Sequence, residues 1–189
     1  MLKEMVIPRS RVTRLASMFC AASENIAQSY FDAAAEVGSM LGVMGAELVY
    51  GGARFGLMEA TACAAKDSGA RIVGVVPEIL VERDRVSLLL DEMVLCRNLS
   101  ERKDIMLQRS DILVALPGGV GTLDEIFHVL AAGTIGYHSK HVVLYNTDGF
   151  WDDMTVMLDG MRDKGFLRGN PLLSVVDNID DLKRTIMEA

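Results

Sequence analysis

No apolar run in the 189-residue sequence reaches the roughly 18 residues that a membrane-spanning helix needs, which argues against a membrane partner. Residues 1–14 mix charges with Pro8 and lack the apolar stretch of a signal peptide, so they are read as an N-terminal extension on a cytoplasmic protein. Positive charge is in deficit. With 19 Lys and Arg against 26 Asp and Glu, the net charge is -7, and the broad positive field that nonspecific nucleic-acid binding needs is missing. Cysteine is scarce too: Cys20, Cys63 and Cys96 are odd in number, far apart and set among apolar residues, which points to reduced core thiols rather than disulfides or a zinc site. The three histidines, His128, His138 and His141, form no metal-ligand pattern. Neither a metal nor a cofactor is expected. Repeats, linkers and low-complexity tracts are also missing, so residues 15–189 are read as a single domain.

What the sequence does contain is concentrated at residues 112–125. An apolar run, 112–116, ends at Pro117 and passes through Gly118, Gly119 and Gly121; a helix is expected to start near Thr122. This is the pattern of strand, glycine-rich turn and helix. Glycines let the backbone approach a ligand closely, and the first free N–H groups of a helix, at its positive dipole end, favour an anion. The run is not a P-loop, because no Lys follows the last glycine. Nor is it a dinucleotide fingerprint, because Asp124 stands where the third glycine would be. A nucleotide phosphate bound at Gly118, Gly119, Gly121 and Thr122 is the expectation.

The rest of the chain alternates strands and helices. Strands are expected at 15–20, 47–50, 71–76, 92–96, 112–116, 141–145 and 174–176. Helices are expected at 29–44, 56–66, 99–109, 122–132, 150–164 and 179–187. The continuous Ile/Val run at 71–76 is typical of a strand buried on both faces. Such alternation with short connections implies an α/β fold, a Rossmann-like, doubly wound and mostly parallel sheet with helices on both faces. Ligands then sit beyond the carboxyl ends of the strands, where the loops at 21–28, 51–55 and 117–121 gather. The twelve methionines fall mostly at helix positions read as core-facing, where Met fills gaps.

At the glycine-rich turn the sequence resembles the LONELY GUY family of cytokinin riboside 5'-monophosphate phosphoribohydrolases. The family marker P-G-G-x-G-T-x-x-E runs without a gap from Pro117 to Glu125, and the family's R-K pair stands as Arg102 and Lys103. Further likeness includes Phe19-Cys20, Tyr50-Gly51-Gly52, Gly56-Leu57-Met58 and Gly74-Val75-Val76-Pro77. The resemblance implies a homodimer that hydrolyses the N-glycosidic bond of a nucleoside 5'-monophosphate. It also implies Arg102 and Glu125 as the catalytic pair, with Lys103, Gly52, Ser23 and Met58 joining the turn in binding the nucleotide. The sequence departs from the family pattern at Ala21-Ala22 in place of G-S, at Ala53, at Glu59, and at Ala131-Ala132 in place of Thr-Trp. These changes point to an altered base pocket around retained phosphate and ribose chemistry.

Two further readings bear on the centre. Thr122-x-x-Glu125 also fits a capping box, in which the Glu side chain returns to the helix N-terminus. Asp124 is expected to lie about 100° round the helix from Glu125, too far for a carboxylate pair, and is given no catalytic role. The alternative to an enzyme is a non-catalytic binder resembling molybdenum-cofactor carriers.

Overall fold

The computed structural model describes residues 14–167 and 172–188. The expected N-terminal extension therefore lies outside the described residues, apart from Arg14. Seven strands form one sheet: β1 (Leu15–Phe19), β2 (Glu47–Tyr50), β3 (Ile72–Pro77), β4 (Glu92–Cys96), β5 (Ile112–Ala115), β6 (Val142–Tyr145) and β7 (Leu173–Val176). Their order is β4-β3-β2-β1-β5-β6-β7, and every pairing is parallel. The helices are α1 (Gln28–Val43), α2 (Gly56–Asp67), α3 (Glu78–Glu82), α4 (Leu99–Arg109), α5 (Val120–Thr134), α6 (Asp152–Asp163) and α7 (Ile179–Glu188).

Both faces of the sheet are covered. Alternate strand residues such as Ala16, Met18, Leu48 and Val114 pack with α1, α2 and α7. Their neighbours Phe19, Val49, Leu113 and Ala115 pack with α4, α5 and α6. This two-sided burial explains why the central strands read as continuous apolar runs. Only the edge strand β4 keeps an alternating pattern, with Met93 and Leu95 exposed. Ser17 is a polar exception under α4. Its hydroxyl lies within hydrogen-bond distance of Ser110, whose own hydroxyl donates to the Met106 carbonyl at 2.8 Å, so the last turn of α4 is tied to the middle of β1. Among the described residues, no helix is long and apolar enough to cross a membrane.

Three expectations are corrected. The short helix α3 follows Pro77 directly where no helix is expected; proline suits the start of a helix because its missing N–H would have no partner there. Cys63 is exposed rather than core, because on α2 it points outward, with its sulfur 3.7 Å from Asp67; Cys20 and Cys96 are buried as expected. Not all helical methionines face inward either: Met157 and Met161 on α6 are partly exposed.

The contact between α1 and α2 is nearly backbone to backbone. A Cβ at Gly38 would collide with the Thr61 carbonyl oxygen, and one at Gly42 would come within 2.7 Å of the Ala65 carbonyl. Because backbone on both sides cannot yield as a flexible side chain does, Gly38→Ala should cost about 1–3 kcal/mol of stability. Urea unfolding monitored by Trp151 fluorescence measures this; an unchanged midpoint would show that the two helices can separate freely.

Candidate active site

Strand order reverses between β1 and β5, the switch point at which α/β sheets form a crevice at the carboxyl edge. The β1 loop is held from both sides. The Ala21 amide donates to the Pro117 carbonyl at 3.2 Å, and the Ala21 carbonyl accepts from Leu57 and Met58 at 3.0 and 3.3 Å. Gly56, with φ +59°, allows this approach, since a Cβ there would lie 2.5 Å from the Ala22 carbonyl carbon. The amides at the start of α2 are thus already engaged by protein.

The start of α5 differs. The helix begins at Val120, with Gly119 as its N-cap and Leu123 the first amide to close a turn, onto the Gly119 carbonyl. The amides of Val120, Gly121 and Thr122 therefore have no intrahelical partner. Space is open beside Gly119 and Gly121, where an added Cβ would meet nothing within 4 Å. This start, two residues earlier than expected, makes Thr122 a third-position residue rather than a cap. The capping box does not form: the N-cap makes no side-chain hydrogen bond, and Glu125 is engaged elsewhere.

Glu125 is held by Arg102. Asn98 caps α4 by accepting from the Glu101 amide at 3.0 Å, and one turn later Arg102 sends its Nη2 to Glu125 Oε1 at 2.6 Å. Both residues are buried, Glu125 to 5% exposure. The guanidinium fits because Gly51, at the end of β2, has no side chain; a Cβ there would overlap Arg102 Nη2. Arg102 Nε is buried without an acceptor. Burial pushes the Glu125 carboxyl up to about 7, against the opposing pull of Arg102, with a smaller upward push from Asp124. The neighbouring Cys20 thiol is raised well above its ordinary range by burial, so it stays neutral.

Around this pair lies a cavity of about 300 Å3. Of the residues expected to bind or react, the structure brings Arg102, Lys103, Glu125, Gly119, Gly121, Thr122, Ser23 and Met58 to its wall. Two glycines do not reach it. Gly118 lies under the Thr122 side chain, which a Cβ would overlap, and Gly52, at φ +71°, faces β3, where a Cβ would come within 2.5 Å of the Val76 side chain, while its carbonyl accepts from Ser87 at 2.8 Å. Both shape the turns rather than face the crevice. Sequence reasoning missed Cys20, Ala21, Ala22, Leu99 and Asp124, which also line it. Asp124 takes Lys103 Nζ on both carboxylate oxygens, each at 2.7 Å, so the ammonium is not free. The histidines stand apart from the cavity: His128 contacts Asp104 at 3.1 Å, and His138 lies 3.0 Å from the Val129 carbonyl.

Residues 58–187 match the family described as "Possible lysine decarboxylase". The cytokinin riboside 5'-monophosphate phosphoribohydrolase of Mycobacterium tuberculosis is 39% identical over 170 residues, 89% of this chain and 90% of that one. The chain belongs to the LONELY GUY family. Another member, a cytokinin riboside 5'-monophosphate phosphoribohydrolase of Arabidopsis thaliana, is 35% identical over 153 residues, 81% of this chain and 71% of that one. Among solved structures, the molybdenum cofactor carrier protein of Chlamydomonas reinhardtii superposes with a TM-score of 0.72 at 23% identity, over 94% of this chain and all of that one. The molybdenum cofactor binding protein of Rippkaea orientalis gives 0.71 at 20%, over 95% of this chain and 98% of that one. At such identities these two likenesses speak for the fold alone.

The raised carboxyl has a consequence for stability. With a folded value near 7 against an ordinary 4.5, Glu125 contributes stability that is present below pH 4.5 and lost as pH rises through 7. Glu125→Gln keeps an oxygen for Arg102 but has no proton to lose. At pH 8 the variant should melt at or above the temperature of the parent, and the two should converge near pH 5. A variant melting well below the parent at pH 8 would show that Arg102 outweighs burial.

Proposed function

We propose that this protein hydrolyses the N-glycosidic bond of a nucleoside 5'-monophosphate, of purine or cytokinin type, to the free base and ribose 5-phosphate. The observation that carries the reading is the shared cavity: unpartnered helix amides that suit one phosphate open into the same 300 Å3 space as a buried Arg–Glu pair. The phosphoribohydrolase activity for which relatives 35–39% identical over most of the chain are named supports it.

The phosphate sits on the amides of Val120, Gly121 and Thr122 at the positive end of α5, with Ser23 and Met58 on the opposite wall. Thr122 and Glu125 are three residues apart on one helical face, so Glu125 stands one turn beyond the phosphate, at the ribose. As the C1'–N bond breaks, its electron pair leaves with the base, which takes a proton from solvent as it departs, matching the one that Glu125 later releases to solvent. The ring becomes oxocarbenium-like, and a water oxygen bonds to C1'. Glu125 takes a proton from that water, a task for which a carboxylate titrating near 7 is matched to neutral pH. Arg102 holds Glu125 in place and, with its remaining donors, orients the phosphate or the leaving base. No cofactor enters. The second reading, a non-catalytic carrier of a phosphorylated ligand, is favoured only by the fold likeness to molybdenum-cofactor carriers.

A panel of nucleosides and their mono-, di- and triphosphates, assayed for released base, tests the proposal. The monophosphates should be cleaved best, because one phosphate fixes the ribose and its binding energy becomes available to the chemical step. Turnover of adenosine comparable to that of AMP would overturn this.

Glu125→Gln should bind AMP and lose about 100-fold or more in kcat. The parent kcat should fall tenfold per unit below a pH near 7, and the variant should lack that limb. A variant retaining most activity would move the protein to the carrier reading.

A homodimer is also proposed. Val156, Met157, Met161 and Phe166 expose an apolar groove on the outer side of α6, larger than isolated surface residues make. Light scattering should report twice the chain mass of 20.6 kDa; the single mass at micromolar concentration would exclude the dimer. The unpaired thiols of Cys20, Cys63 and Cys96 fit a reducing cytoplasm.

A further inference from the structure

Asp124 lies outside the family marker's fixed positions, and its place round the helix argues against a carboxylate pair with Glu125. The structure gives it a different position of interest. Gly121 and Asp124 are three residues apart on α5, as are Thr122 and Glu125, and all four line the cavity. The cavity therefore spans the 100° arc that separates the two carboxylates. Side chains on a helix lean toward its N-terminus, so Asp124 reaches back over the turn that holds Gly121, where the space beside the backbone is open. By the rise of the helix, its Cα stands about 4.5 Å along the axis from that of Gly121.

Burial separates the two acids. Glu125 is enclosed and held by Arg102, whereas the Asp124 side chain is half exposed and its partner Lys103 is nearly buried, at 12% exposure. Lys103 donates to both Asp124 oxygens at 2.7 Å. This fixes the plane of the carboxylate yet uses only two of its roughly four acceptor positions. What remains is an anchored, ionised acceptor beside a cavity whose phosphate and water-activating positions are already assigned. The chemistry that suits it is a pair of neighbouring hydroxyl donors.

We propose that Asp124, braced by Lys103, accepts hydrogen bonds from the 2'- and 3'-hydroxyls of the substrate ribose and so makes the protein select ribonucleotides over 2'-deoxyribonucleotides. The inference rests on the nucleotide reading of the cavity. Lys103 thereby acts through Asp124 as a positioning residue rather than as a phosphate ligand. A hydrogen bond to a charged group that is lost with the 2'-hydroxyl corresponds to about tenfold or more in discrimination.

The test compares kcat/KM for AMP and 2'-deoxy-AMP in the parent and in Asp124→Asn, alongside calorimetric binding of ribose 5-phosphate and 2-deoxyribose 5-phosphate to both proteins. The parent should prefer the ribo form about tenfold or more in each comparison, and the variant, which has no charge to offer, should lose most of that preference. Asp124 is half exposed on the helix surface, so the variant is expected to fold; thermal melting checks this. A parent with no preference overturns the proposal. So does a variant that weakens both sugars equally and leaves the ratio intact, because Asp124 would then serve only as the counter-ion of Lys103. Failure of the phosphoribohydrolase reading looks different: the parent cleaves neither nucleotide, while the sugar-phosphate comparison still decides the role of Asp124.

Discussion

The hydrogen-bonded ion pair between Arg102 and Glu125 is the constraint on which the site depends. A charged pair this deeply enclosed is expensive to desolvate and is retained only where its geometry is tightly held. Each side of it is. Arg102 is placed by the Asn98 cap at the start of α4 and admitted by the missing side chain of Gly51. Glu125 is placed by the early start of α5, which in turn follows from the three glycines after β5. Removing either partner leaves the other buried and unpaired, so the site does not degrade gradually. The same enclosure brings the carboxyl into the range where it can exchange a proton at neutral pH.

Parallel topology does the rest. The switch between β1 and β5 brings together two loops that are almost a hundred residues apart in sequence, and the hydrogen bond from the Ala21 amide to the Pro117 carbonyl ties them. Four ionisable groups then meet as two rungs between α4 and α5: Arg102 with Glu125, and Lys103 with Asp124. Consecutive residues on each helix supply consecutive rungs. The inner rung is enclosed and the outer one reaches solvent, so the two carboxylates differ in environment although they are neighbours in sequence.

Much of this is legible in the sequence, for local reasons. Strands buried on both faces read as unbroken Ile/Val/Leu runs, and β2, closed by Gly51 and Gly52, falls at its expected limits. The strand–turn–helix at Pro117 declares an anion site because glycine content and helix start are local properties. What escaped depends on tertiary context. Thr122-x-x-Glu125 satisfies the letter of a capping box, but the helix starts two residues earlier and Arg102, from another helix, captures the glutamate. Asp124 was set aside on helical angle alone, which says how far apart two side chains point and not how wide the cavity between them is. Gly52 and Gly118 match motif positions yet act through backbone shape. Cys63 has apolar neighbours in sequence, but its own direction on α2 is outward.

The starts of α2 and α5, both at the carboxyl edge, are not equivalent. The amides of Leu57 and Met58 are consumed by the Ala21 carbonyl, and the seal holds because Gly56 lets the loop settle onto the helix. The potential anion seat at the start of α2 is therefore plugged by the chain itself, whereas the start of α5 is open. A fold of this class that carries a dinucleotide keeps a glycine-rich helix start open for a pyrophosphate; here the start of α2 is closed by protein backbone. The scaffold is specialised by occlusion: the contact that closes the α2 start leaves the α5 start open beside the buried Arg–Glu pair.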